Sequence, residues 1–87
     1  MESHRPFVIG IPLYPGVDLL DVAAPYEIFS WMADQCKATR TFEVHTLAGT
    51  LDPVPTRDRL SLVPQRCFDE VRHLDLLWVP GGDPDAL

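Results

Sequence analysis

Two short apolar runs constrain this chain more than any other feature. Phe7 to Leu13 (FVIGIPL) and Leu74 to Val79 (LDLLWV) are almost unbroken by polar residues. A strand with one wet face alternates; a strand covered on both faces does not. The runs therefore predict strands of a parallel sheet. Turn chemistry follows each, Tyr14-Pro15-Gly16 after the first and Pro80-Gly81-Gly82 after the second. Pro12 has no N–H to give a ladder, so the regular part of the first strand is expected to stop near Ile11.

The segment between them supplies the rest of a layered fold. Phe42 to Leu47 (FEVHTL) alternates and reads as the second strand. Before it runs VDLLDVAAPYEIFSWMADQC. Proline breaks a helix interior but suits the first helical position. The spacing thus predicts a turn over 18–24 and a helix from Pro25 to about Cys36. Ile28, Phe29, Met32 and Cys36 share one face and are expected to pack on the sheet. Ala48 to Asp58 reads as a loop, Leu60 to Val63 as a short edge strand, and Cys67 to Val71 as a helical turn. Asp83 is placed to cap a helix beginning at Pro84. The order β-α-β, loop, β, then β-loop-α points to a parallel sheet with helices on its faces.

Composition narrows the function classes. At 87 residues, with 46% of them hydrophobic, the chain is globular in composition but short of core. A domain this size buries only roughly two thirds of its unfolded surface. So much apolar sequence suggests a piece of something larger, or one that needs a partner. A net charge of -6 and a pI near 4.7 argue against binding nucleic acid or an anionic membrane. No apolar run approaches the roughly 20 residues of a membrane span, and no signal-peptide core precedes the first strand. The expected compartment is the cytoplasm. Cys36 and Cys67 are too few and too far apart for a disulfide framework or a metal site. His4, His45 and His73 are scattered; His45 reads as structural, His4 and His73 as exposed. Neither the glycine fingerprint of dinucleotide folds nor the phosphate-binding loop is present.

In open parallel sheets, ligands bind beyond the carboxyl ends of the strands. Two loops occupy that edge. One carries Asp18 and Asp21. Asp21 lies among Leu19, Leu20, Val22 and Ala23 and is expected to be partly shielded from water, a setting that suits proton exchange near neutrality. Its bland alternative is a helix-start cap. The other loop is Gly81-Gly82, whose backbone N–H groups could stabilise a developing anion; its alternative is an ordinary strand-to-helix turn. A Mg²⁺ site on Asp18 and Asp21 would need a third carboxylate where Pro80-Gly81-Gly82 stands, and is set aside.

With these residues placed, PLYPGVDLLDVAAPYEIF (12–29) and LDLLWVPGG (74–82) together resemble the ThiJ/PfpI family of the class I glutamine amidotransferase-like superfamily. The resemblance implies a flavodoxin-like α/β sandwich, of which residues 1–87 form the amino-terminal part of a single domain, cut before the nucleophile elbow. Within the family, the details are similar to the isonitrile hydratases and to the ligand domains of AraC-type transcription regulators. In the hydratases, a cysteine on a strand-to-helix elbow attacks the isonitrile carbon and an aspartate moves the proton. The product is an N-substituted formamide. Asp21 matches that aspartate, and Gly81 and Gly82 match the loop that lends a backbone N–H. Neither Cys36 nor Cys67 matches the nucleophile, so the chain alone is expected to be inactive. The resemblance further implies no metal or organic cofactor, a small-molecule substrate in the complete protein, and a homodimer.

Overall fold

The computed structural model describes residues 5–83. Four parallel strands form the main sheet. They are β1 (Phe7–Pro12), β2 (Phe42–Ala48), β5 (Arg66–Cys67) and β6 (Leu76–Leu77), in the order β5-β2-β1-β6. A separate antiparallel hairpin pairs β3 (Val54–Pro55) with β4 (Ser61–Leu62). One helix, α1 (Leu19–Cys36), joins β1 to β2. Phe68–Glu70 forms a single 3-10 turn within the expected helical turn. The expected parallel α/β architecture is thus the observed one. The helix expected from Pro84 lies outside the described residues.

β1 is one of the two inner strands. It pairs with β2 from Phe7↔Phe42 through Pro12↔Leu47, but with β6 only at Ile9↔Leu76 and Gly10↔Leu77. Pro12 belongs to the strand after all, because N–H directions alternate along it. Phe7 and Leu13 donate toward the β2 side, to Thr41 and Leu47, so the even-numbered residues face β6. Trp78 N–H donates to the Gly10 carbonyl at 2.9 Å. The next rung would need an N–H from Pro12. The missing donor therefore costs nothing toward β2 and ends the ladder toward β6.

The helix differs from expectation at its start. It begins at Leu19, with Asp18 as the N-cap residue and Pro25 inside. An interior proline forfeits one helical hydrogen bond and costs about 3 kcal/mol. Pro25 and Val22 are the buried residues of α1, and burying an apolar side chain is worth about 1.5–3 kcal/mol. Burial thus offsets the break. The inward face runs Val22, Pro25, Tyr26, Phe29, Met32 and Cys36, at helical spacing. Ile28, expected on that face, is 58% exposed.

The core lies beneath the carboxyl ends of β1 and β2. Ile11, Leu13, Val17, Val22, Ala48 and Val54 form one buried cluster, with Tyr14, Tyr26, Val44 and Leu62 against it. The expected loop 48–58 contributes Val54 through the hairpin. A turn with Arg59 at φ 81° closes that hairpin, held by Thr56 N–H to the Leu60 carbonyl. Leu74 to Val79 departs most from expectation. Read as a buried strand, it pairs over two residues and its large side chains stay exposed, Val79 by 62%. It lies at the edge of the sheet, with nothing among the described residues on its outer side.

A carboxylate ties β6 to β1 at the other end. Asp75 N–H donates to the Val8 carbonyl, and Val8 N–H donates back to Asp75 Oδ2, both at 2.8 Å. His73, partly buried rather than exposed as expected, lies 2.8 Å from Asp75 Oδ1. His45 pairs with Glu43 at 3.0 Å on β2, in a structural place as expected. The Val8 hydrogen bond, helped by His73 and Arg5 and opposed by partial burial, holds Asp75 below the ordinary carboxylate range. A carboxylate depressed in the folded state stabilises fully above its unfolded pKa, about 3.9, and loses that contribution as pH falls through the folded value. Acid titration followed by circular dichroism should therefore show stability falling below about pH 4. Asp75→Asn should start less stable at pH 7 and lose less on acidification.

Candidate functional site

Where β1 hands the chain to α1 on one side and β6 lies on the other, the sheet has its topological switch point. A ligand crevice is expected there. The two strand exits meet at this point. Val17 bridges Gly82 in antiparallel fashion, with Asp18 N–H to the Gly81 carbonyl and Asp83 N–H to the Gly16 carbonyl, both at 2.9 Å. Tyr14 OH donates to the Pro80 carbonyl at 2.8 Å. On its far side the β1 exit is held by the hairpin: Gly16 N–H reaches the Pro55 carbonyl, and Arg57 N–H reaches Val17. The exit loop is therefore clamped on both sides.

This clamp brings together the acid and the glycine loop. Asp21 is the third residue of α1, where a negative charge meets the helix dipole favourably. Its Oδ2 accepts the Gly81 N–H at 3.1 Å. Asp21 is exposed, not shielded as its neighbours suggested. Leu20 turns out to solvent and Val22 turns inward, so the apolar flanks do not close over the carboxylate. Nor does it cap the helix, since Asp18 holds that position. Asp18 instead approaches Arg57, at 3.8 Å, and takes no part in a paired-acid site. Among the described residues no group of three histidine, cysteine, aspartate or glutamate side chains could hold a metal ion. No helix among them is long and apolar enough to cross a membrane.

Gly82 is demanded by close approach. A Cβ there would lie 2.6 Å from the Gly16 carbonyl oxygen and 2.9 Å from the Val17 Cα. At Gly81 a Cβ would lie 2.9 Å from Asp21 Oδ2. The loop thus presents backbone to the acid without a side chain between. Gly81 N–H is taken by Asp21. Among the described residues no acceptor meets the Gly82 N–H. A carboxylate in fixed orientation beside a backbone donor can shuttle a proton and stabilise a neighbouring anion. The residues that reasoning from sequence missed are Tyr14, which anchors Pro80, and Trp78, which meets Phe29 edge-on at 5.7 Å. The hydroxyl of Tyr14, directly after the first apolar run, was the available signal.

The cysteines lie elsewhere. Cys67 is on β5, the edge opposite β6, and Cys36 ends α1; both are free. Burial pushes the Cys67 thiol up, and the Glu70 and Asp69 carboxylates push it further.

A parallel four-stranded sheet with a helix crossing from β1 to β2 defines a flavodoxin-like α/β class. The comparisons narrow it. No family model matches the chain. It is 34% identical over 74 residues to an isonitrile hydratase from Pseudomonas putida, across 85% of this chain and 29% of that protein. Its structure matches a ThiJ/PfpI family protein from Pseudomonas syringae with a TM-score of 0.74 and 27% identity, over 92% of this chain and 31% of that one. A DJ-1 superfamily protein from Agrobacterium tumefaciens matches with a TM-score of 0.55 at 20% identity, over 87% of this chain and 38% of that one; this likeness concerns the fold alone. The chain is thus similar to ThiJ/PfpI proteins and spans under a third of the length of the first two relatives.

Two expectations follow. Gly82→Ala should destabilise the fold by about 1–3 kcal/mol, because backbone must yield; a thermal melt unchanged from wild type would contradict it. Cys67 should react with iodoacetamide at pH 8 more slowly than a free-cysteine standard, gaining on it above pH 9, as read by mass spectrometry.

Proposed function

We propose that this chain supplies the acid and donor-loop side of an isonitrile hydratase-like site. The observation that carries the reading is the Asp21–Gly81 contact at the switch point, in a segment 34% identical to an isonitrile hydratase. In the overall reaction an isonitrile, R–N≡C, gains one water and becomes R–NH–CHO. A nucleophile forms the bond to the isonitrile carbon, and a proton must reach that carbon. Asp21 is the group here that can carry the proton, and Gly81 fixes its orientation. Gly82 offers a backbone donor beside it. No group among the described residues fits the nucleophile. Cys36 and Cys67 are away from the switch point, and the Cys67 thiol is raised rather than activated.

The reading makes two demands. The purified chain should produce no formamide from an alkyl isonitrile; production abolished by Cys36→Ala or Cys67→Ala would overturn it. A chimera carrying residues 7–82 in place of the matching segment of the Pseudomonas putida hydratase should be active. There, Asp21→Asn should lower turnover by about 10²–10⁴-fold with the circular dichroism spectrum unchanged. Normal turnover in that variant would remove Asp21 from the chemistry.

A further inference from the structure

A single peptide unit joins two contacts at the strand exits. The Tyr14 hydroxyl donates to the Pro80 carbonyl at 2.8 Å, and the Gly81 N–H donates to Asp21 Oδ2 at 3.1 Å. That carbonyl and that N–H belong to the same amide. The amide is planar and trans, so its oxygen and its hydrogen point in opposite directions. Fixing one end therefore aims the other. The Tyr14 end is well fixed. Tyr14 packs against the buried cluster that holds Ile11, Leu13 and Val17, and its own carbonyl accepts the Val17 N–H at 3.0 Å. The two glycines admit one end each. A Cβ on Gly82 would lie 2.7 Å from the Tyr14 hydroxyl, and a Cβ on Gly81 would lie 2.9 Å from Asp21 Oδ2.

We propose that Tyr14 is a positioning residue for Asp21, acting through the Pro80–Gly81 amide. A hydroxyl that donates to an amide oxygen draws electron density from the nitrogen, and the N–H becomes a stronger donor. Hydrogen bonds in such a chain strengthen one another by about 10–30% per bond. The relay holds Oδ2 of Asp21. It leaves Oδ1, which no donor meets among the described residues, to exchange a proton. That last role rests on the proposed hydratase-like reading; the relay itself does not. The simpler role for Tyr14 is to satisfy the Pro80 carbonyl and nothing more. Loss of the hydroxyl would then cost stability and leave the Gly81–Asp21 contact as it was. Tyr26 supplies the comparison. Its hydroxyl accepts from Gln65 Nε2 at 2.9 Å, and no peptide unit carries that bond to the acid.

The test follows the Gly81 amide of the isotopically labelled 87-residue chain by nuclear magnetic resonance. Tyr14→Phe keeps the ring and should keep the circular dichroism spectrum. The Gly81 amide proton should move upfield and exchange about 2–10-fold faster, the weight of one net hydrogen bond. Tyr26→Phe should leave it unchanged. In an Asp21→Ala background the N–H has lost its acceptor, and Tyr14→Phe should then change that exchange by less than about twofold. With Tyr26→Phe in place, 3-fluorotyrosine at position 14, a stronger hydroxyl donor, should move the proton downfield. A Gly81 amide indifferent to Tyr14→Phe, or one that responds equally with and without the Asp21 carboxylate, would overturn the proposal. In the hydratase chimera, Tyr14→Phe should lower kcat about 2–10-fold with KM unchanged, because Tyr14 acts on the acid and not on the substrate. An unchanged kcat in an active chimera would overturn the positioning role. A chimera without activity counts against the hydratase-like reading, and the Gly81 amide then decides the relay by itself.

Discussion

The nitrogen of Pro12 carries no hydrogen, and much of the structure follows from that. Toward β2 the strand needs no donor at this position, so the pairing runs its full length. Toward β6 the ladder stops after Gly10. Beyond that point the two exits are joined by loop contacts instead. The Val17–Gly82 bridge, the Tyr14 hydroxyl on Pro80 and the Gly81 N–H on Asp21 all lie beyond that point. At the other end, Asp75 closes the same pair of strands with its carboxylate. The two strands are therefore joined by a side chain at one end and by loop contacts at the other.

This arrangement explains why an exposed acid can still be well positioned. Asp21 is not fixed by burial. It is fixed by standing in the first turn of α1 and by one backbone donor from the facing loop. That loop is in turn registered by contacts that tolerate no Cβ at Gly82. Precision here comes from the backbone contacts that hold the two exits together.

Much of the fold was legible in the sequence because unbroken apolar runs and alternation report burial directly. The first two strands, the parallel sheet and the turn before Glu70 were all readable. The start of α1 was not. Pro25 locally argues for a helix beginning there, and only its burial against the sheet offsets the lost hydrogen bond. Ile28 was misplaced because it borders, rather than belongs to, the inward stripe of Val22, Pro25, Phe29 and Met32.

Residue type alone determined that this chain would place an acid and a glycine pair at the carboxyl ends of two strands, because turn chemistry must follow apolar runs. Tertiary structure decided that they touch, since the distance between positions 21 and 81 is set by β1 and β6 lying side by side. It also decided that LDLLWV, apolar enough to be buried, is exposed. Hydrophobicity states what a strand can be covered by, and only the order of the sheet states whether a neighbour is there.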